Sequence, residues 1–151
     1  MDEPAEATLK RLNDLEAIRD LPRRYARCVW QSDADGAAAL FAEDGVMDTG
    51  DGAPLRGRGA IRETYRRAFA GQQLLPFVHN HLVELDGDVA SGQCDLDLRA
   101  TLDGRAMLGA GSYDDRYART PEGWRFASRR LSLRFLVPLS EGWGKGAEKV
   151  R

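Results

Sequence analysis

The chain has 151 residues, of which 42% are hydrophobic and 30% charged, and a formal net charge of -2. That length supports one buried core without disulfide or metal staples, and the balance of apolar to charged residues excludes a disordered chain. Bases interleaved with acids give no strong field for phosphate backbones or anionic lipid, so neither nucleic acid nor a membrane is an expected partner.

No apolar run approaches the roughly 20 residues of a membrane helix. The start, Met1-Asp2-Glu3-Pro4, lacks the basic and then apolar pattern of a secretory leader, so the expected compartment is the cytoplasm. Cys28 and Cys94 have neither CxxC nor zinc-finger spacing and read as buried free thiols; no metal is expected.

From Leu9 to Trp30 the apolar residues Leu12, Leu15, Ile18, Leu21, Tyr25, Cys28 and Val29 recur three or four apart, predicting a helix with a candidate kink at Pro22. Ser32 to Gly36 breaks it and supplies N-cap candidates for a short helix from Ala37 to Phe41, ended by Glu43-Asp44-Gly45. Val46 to Thr49 reads as a short strand and Gly50 to Gly57 as a loop. A third helix is predicted from near Gly59, with Gly71 at its C-terminus, where a left-handed residue is wanted.

Four strand-like runs follow: Phe77 to Leu85, Val89 to Leu102, Ala106 to Tyr117 and Trp124 to Val137. Asp86-Gly87-Asp88 and Asp103-Gly104 are hairpin turns between them. Helices first and hairpin-linked strands after them predict an α+β domain with helices on one face of an antiparallel sheet. A single domain over residues 8–140 is expected, with loosely ordered tails at 1–7 and 141–151.

This order of elements resembles the nuclear transport factor 2-like superfamily, and several segments resemble its SnoaL-like branch. The carriers are Ala17-Ile18-Arg19-Asp20-Leu21 with Tyr25, Leu40 to Gly45, Gly57 to Ile61, Asn80 to Ala90, Tyr113-Asp114-Asp115-Arg116-Tyr117 and Gly123-Trp124-Arg125-Phe126. The resemblance implies a cone-shaped curved sheet packed on three N-terminal helices, with a central pocket for a small organic molecule. It also implies function only loosely, because this fold hosts dehydratases, dehydrochlorinases, isomerases, cyclases and modules without chemistry.

In the dehydratase and dehydrochlorinase relatives an Asp late in the first helix orients a His at the start of the first long strand. Matching on Tyr25 and Asn80 places Trp30 and Pro76 at those two positions, and neither can move a proton. His79 and His81, one strand period apart, should share a face. If that face lines the pocket, one of them replaces the missing base. The family spacing implies instead that Pro76, Val78, Asn80 and Leu82 face inward, leaving both histidines a structural or interface role.

Along Val89 to Arg99 one face is apolar and the other carries Asp95 and Asp97. The acidic face is either solvated or, in the register the resemblance implies, turned toward the pocket mouth, where a carboxylate could act as acid or base. Gly109 and Gly111 share a face with Tyr113 and suggest either space for a ligand or close approach of another backbone. Tyr25, Tyr113 and Trp30 would line a widened pocket or simply form core. The resemblance puts Arg130 near the pocket floor, as an anchor for an oxyanion or as the partner of an Asp.

The expected function is a cofactor-free enzyme of the lyase, isomerase or cyclase type acting on a hydrophobic cyclic or polyketide-like molecule. Asp95, Asp97, Tyr25, Tyr113, Arg130, His79 and His81 are the catalytic candidates, and Trp30, Val78, Asn80, Gly109 and Gly111 the ligand-binding ones. The alternative is a non-catalytic binding or assembly module. A homodimer through the sheet is expected if Leu131, Leu133 and Phe135 point away from the helices.

Overall fold

A computed structural model describes residues 2–144. Three helices, α1 (Glu3–Trp30), α2 (Ala34–Ala39) and α3 (Arg58–Phe69), pack on a curved, open sheet of six strands: β1 (Phe41–Asp48), β2 (Leu55–Arg56), β3 (Gln73–Asp86), β4 (Val89–Leu102), β5 (Arg105–Thr120) and β6 (Gly123–Pro138). The strand order is β2-β1-β6-β5-β4-β3. Every pair is antiparallel except β1 with β6, which run parallel.

Helix α1 begins well before the expected Leu9. Asp2 caps it by accepting from Ala5 N at 3.0 Å, Pro4 sits where no amide proton is needed, and Glu3 and Glu6 complement the positive end of the helix dipole. Residues 3–7 are therefore helical rather than a loose tail; most of the other expected tail, 145–151, lies outside the described residues, as does Met1. Pro22 is accommodated within one continuous helix. Ile18, Leu21, Tyr25 and Val29 form its buried stripe, whereas Leu12, expected on that stripe, is 56% exposed. The helix is tied to the sheet by Asp14, which accepts from Arg119 Nη2 at 2.7 Å and Trp124 Nε1 at 3.0 Å.

The second helix stops at Ala39, so Phe41 opens a strand rather than closing a helix. Phe41 is fully buried, with its ring 5.2 Å from that of Phe126. Its carbonyl accepts from Arg58 Nε and Nη2 at 3.0 and 2.7 Å, and Leu40 O takes the Phe126 amide at 2.9 Å. Those tertiary bonds outweigh the weak helix preference of a six-residue segment. At the other turns the local signals hold: Gly71 after α3 has φ 72°, and Asp103 and Gly104 both have positive φ, as a two-residue hairpin needs.

Three register shifts decide which side chains face the helices. On β3, His79 pairs with Asp95 and Leu82 with Gln93, so Asn80 and His81 together oppose Cys94. On β6, Phe126 pairs with Tyr117 and Ser128 with Arg116, leaving Ala127 as an extra residue. Further along β6, Leu133 pairs with Gly111 and Phe135 with Ala110, leaving Arg134 extra. Each bulge reverses the in-out phase of the residues beyond it. Leu131 and Leu133 consequently pack against the core instead of pointing away from the helices. No helix among the described residues is long and apolar enough to cross a membrane.

Candidate functional site

Beneath α1, the inner faces of β3 to β6 converge on a buried ion pair. Arg129 and Asp115 are 1% and 2% exposed, and Arg129 Nε lies 3.1 Å from Asp115 Oδ1. That contact is not aligned as a hydrogen bond: Arg129 Nε and Nη1 and Asp115 Oδ1 have no hydrogen-bond partner. The guanidinium is instead held by rings, its carbon lying 3.6 Å from the centroid of Tyr113, 4.4 Å from Tyr25 and 4.6 Å from Phe126. Its Nη2 reaches Cys94 Sγ at 3.7 Å.

Burial pushes the Asp115 carboxyl up, while Arg129 and the Tyr117 hydroxyl pull it down. Burial works against the charge on Arg129 too, but Asp115, Tyr113 and Tyr25 hold its pKa above the ordinary value. A guanidinium keeps its proton at any accessible pH, so Arg129 is charged and favours the carboxylate form of Asp115 against the burial that leaves that carboxyl raised overall. Burial likewise raises the phenols of Tyr25, Tyr65, Tyr113 and Tyr117, so all four are neutral hydroxyls; those of Tyr25 and Tyr65 are 2.7 Å apart.

A relay leads outward from this centre. Tyr117 OH donates to Asp115 Oδ2 at 3.1 Å, and His81 Nε2 stands 3.1 Å from the same hydroxyl. A carboxylate can only accept and the hydroxyl has one proton, so His81 must donate from Nε2, leaving Nδ1 as the bare acceptor of the ring. Burial, reinforced by Arg129, Arg19 and Arg23, lowers the His81 pKa to about 4, so the imidazole is neutral around neutral pH.

His81 lines a pocket of about 140 Å³ between α1 and β3. Arg19, Pro22 and Arg23 form its helix side, Val78, His79 and Asn80 its strand side, and Cys94 completes it. Burial pushes the Cys94 thiol up to about 11, which keeps it protonated and poorly nucleophilic. No group of three or more His, Cys, Asp or Glu among the described residues is arranged to hold a metal ion.

The sequence matches the family model of a SnoaL-like domain over residues 10–130. The chain belongs to the SnoaL-like family. Among solved structures, a Mycobacterium tuberculosis protein of unknown function is 31% identical to this SnoaL-like chain, with 81% of this chain and 77% of that one covered and a TM-score of 0.74. An NTF2-like protein with a cystatin-like fold from Novosphingobium aromaticivorans is 29% identical over 87% and 90%, with a TM-score of 0.75. The hexachlorocyclohexane dehydrochlorinase LinA-type3 from Novosphingobium barchaimii is 19% identical over 88% and 94%, with a TM-score of 0.81, a likeness of fold alone. Among curated proteins none matches.

This SnoaL-like domain brings only some of the expected residues together. Val78, His79, Asn80 and His81 line the pocket, but His79 is exposed and His81 turns inward, so the two histidines do not share a face. The bulge at Asn80 and His81 is the reason, and Asn80 itself is exposed. Tyr25 and Tyr113 lie inside as rings around Arg129, away from the pocket.

Asp95 and Asp97, expected at the pocket mouth, lie on the opposite face of β4, because Cys94 and Leu96 take the inner positions. Arg130, expected at the pocket floor, is on the outer face with Nε 3.6 Å from Asp48 Oδ2; the Ala127 bulge makes Arg129 the inward residue. Trp30 is 37% exposed, and its Nε1 donates to Pro76 O at 2.7 Å while its ring meets Phe77 edge-on. Trp30 and Pro76, the positions at which the resemblance implies an orienter and a base, are thus in contact, locked by an indole and a carbonyl.

Gly109 and Gly111 face inward but open no space. A Cβ on Gly111 would fall 2.2 Å from Ser132 O, and one on Gly109 3.1 Å from Phe135 O and from Leu136 Cδ1. They allow β6 to close over β5 at its second bulge. Asp115, Tyr117, Arg129, Arg19 and Arg23 were not anticipated. Asp115 and Tyr117 were readable, since they continue the Tyr113 face in steps of two; Arg129 was hidden by a bulge that period-two reasoning cannot see.

Proposed function

We propose that this domain is an acid–base enzyme of the lyase or isomerase kind, acting without a cofactor on a small molecule in the pocket between α1 and β3. The observation that carries the reading is the His81–Tyr117–Asp115 relay opening on that pocket. His81 accepts the substrate proton at Nδ1. The imidazolium that forms keeps its Nε2 bond to Tyr117, and Asp115 at the end of the relay offsets the new charge. Arg129, fixed by three rings, favours negative charge developing in the substrate from behind Cys94.

A volume of about 140 Å³ is below the roughly 300 Å³ at which drug-sized sites begin. It therefore supports a small substrate rather than the larger hydrophobic cyclic or polyketide-like one expected from the sequence. Self-association through the outer sheet face belongs to the same reading, since that face carries Phe135 stacked on Trp143. The specific observation favouring a non-catalytic binding module is the Trp30–Pro76 contact at the usual catalytic positions.

Incubating the protein in D2O with small ketones and small β-hydroxy and β-halo acids, and following proton exchange or elimination by NMR, separates the two. Turnover lost by about 100-fold or more in His81→Gln and retained in Asp97→Asn is the expected result. Turnover unchanged in His81→Gln would remove His81 as the base, and binding without turnover across the panel would leave the binding module.

A further inference from the structure

The residues around the pocket carry one sign of charge. Arg19 and Arg23 stand one helical turn apart on α1, facing His81 across the opening, and no lining residue is acidic. Of the carboxylates near it, Glu16 pairs with Arg23 from outside the lining, its Oε1 2.6 Å from Arg23 Nη1, Asp95 accepts from Asn80, and Asp115 is turned to Arg129 and Tyr117. Arg19 has no carboxylate partner among the described residues, and Arg129 adds a third guanidinium beyond Cys94. A neutral ligand would leave Arg19 without a counter-charge, whereas an anion would pair with it and share Arg23 with Glu16 through charge-assisted bonds.

We propose that the pocket binds a small anion, a carboxylate or phosphate group held by Arg19 and Arg23 with the rest of the molecule against His81 and Cys94. The volume matches about five water molecules at about 30 Å³ each, which admits a short-chain acid and excludes a fused-ring one. The inference rests on the pocket of the proposed function but requires no chemistry there. Guanidiniums at the entrance also raise the local concentration of anions.

The test is an NMR titration of the intact protein with pyruvate, with inorganic phosphate and with neutral acetamide, read on the backbone amides of residues 78–81. Pyruvate or phosphate should give saturable shifts that acetamide does not, and the stronger of the two identifies the anionic group. Arg19→Gln with Arg23→Gln should weaken binding about tenfold or more, while Asp97→Asn on the outer face of β4 should keep it. Acetamide binding as well as pyruvate, the double variant binding unchanged, or no saturable shift with either anion would overturn the proposal. Anion binding with no turnover in the D2O assay would count against the catalytic reading alone. Turnover indifferent to Arg19 and Arg23 would count against the anion alone.

Discussion

Asn80 Nδ2 donates to Asp95 Oδ2 across 2.8 Å, and the bond clamps the bulge that turns His81 toward the core. Asn80 has φ 50°, a left-handed conformation that asparagine tolerates and β-branched residues do not. Asn80→Val should cost about 1–3 kcal/mol in urea denaturation and release His81 from Tyr117. Asn80→Gly should keep the bulge, and Asp95→Ala, which removes an exposed hydrogen bond, should cost about 1 kcal/mol.

The Arg129–Asp115 pair is buried among rings with several polar atoms unbonded, so breaking it by halves should be worse than removing it whole. Arg129→Met and Asp115→Leu should each destabilise by about 3–5 kcal/mol, because each strands one buried charge. The double variant should recover much of that loss. Equilibrium denaturation of all four proteins gives the coupling directly.

The depressed pKa of His81 has a definite sign in the stability profile. The unfolded imidazole binds its proton near 6.5 and the folded one near 4, so between these values the unfolded chain holds more protons. The contribution of His81 to stability is therefore present above about 6.5 and lost as pH falls toward 4. Melting temperature should drop across that window, and His81→Gln should flatten the drop.

Gly111 tests the second bulge of β6. A methyl group there meets the Ser132 carbonyl at 2.2 Å, a backbone atom that cannot rotate away. Gly111→Ala should destabilise by about 1–3 kcal/mol through overpacking, measured by denaturation. Unchanged stability would mean that the glycine leaves space instead of closing it.

The hairpin-linked strands and the third helix were legible because turn chemistry and period-two alternation are local. The site was less so. His81, Arg129 and the backbone over Gly111 each depend on one inserted residue, and a bulge leaves no mark in the hydrophobic pattern before it reverses the faces. The exposed start of α1 was invisible for another reason: Leu9 and Leu12 continue the apolar stripe, yet both are exposed and the Asp14–Arg119 pair holds the helix just beyond them. Asp115 was missed although it alternates with Tyr113 and Tyr117, since an Asp in a strand reads as solvated until a buried arginine is found opposite it.

The relay assigns His81 a single neutral tautomer, and nitrogen-15 NMR of the imidazole reads it directly. Around neutral pH, Nε2 should carry the proton and Nδ1 none, and in Tyr117→Phe that preference should weaken. An Nδ1-protonated ring, or an imidazolium at neutral pH, would contradict the account, because His81 would then have no lone pair free to take a proton from the pocket.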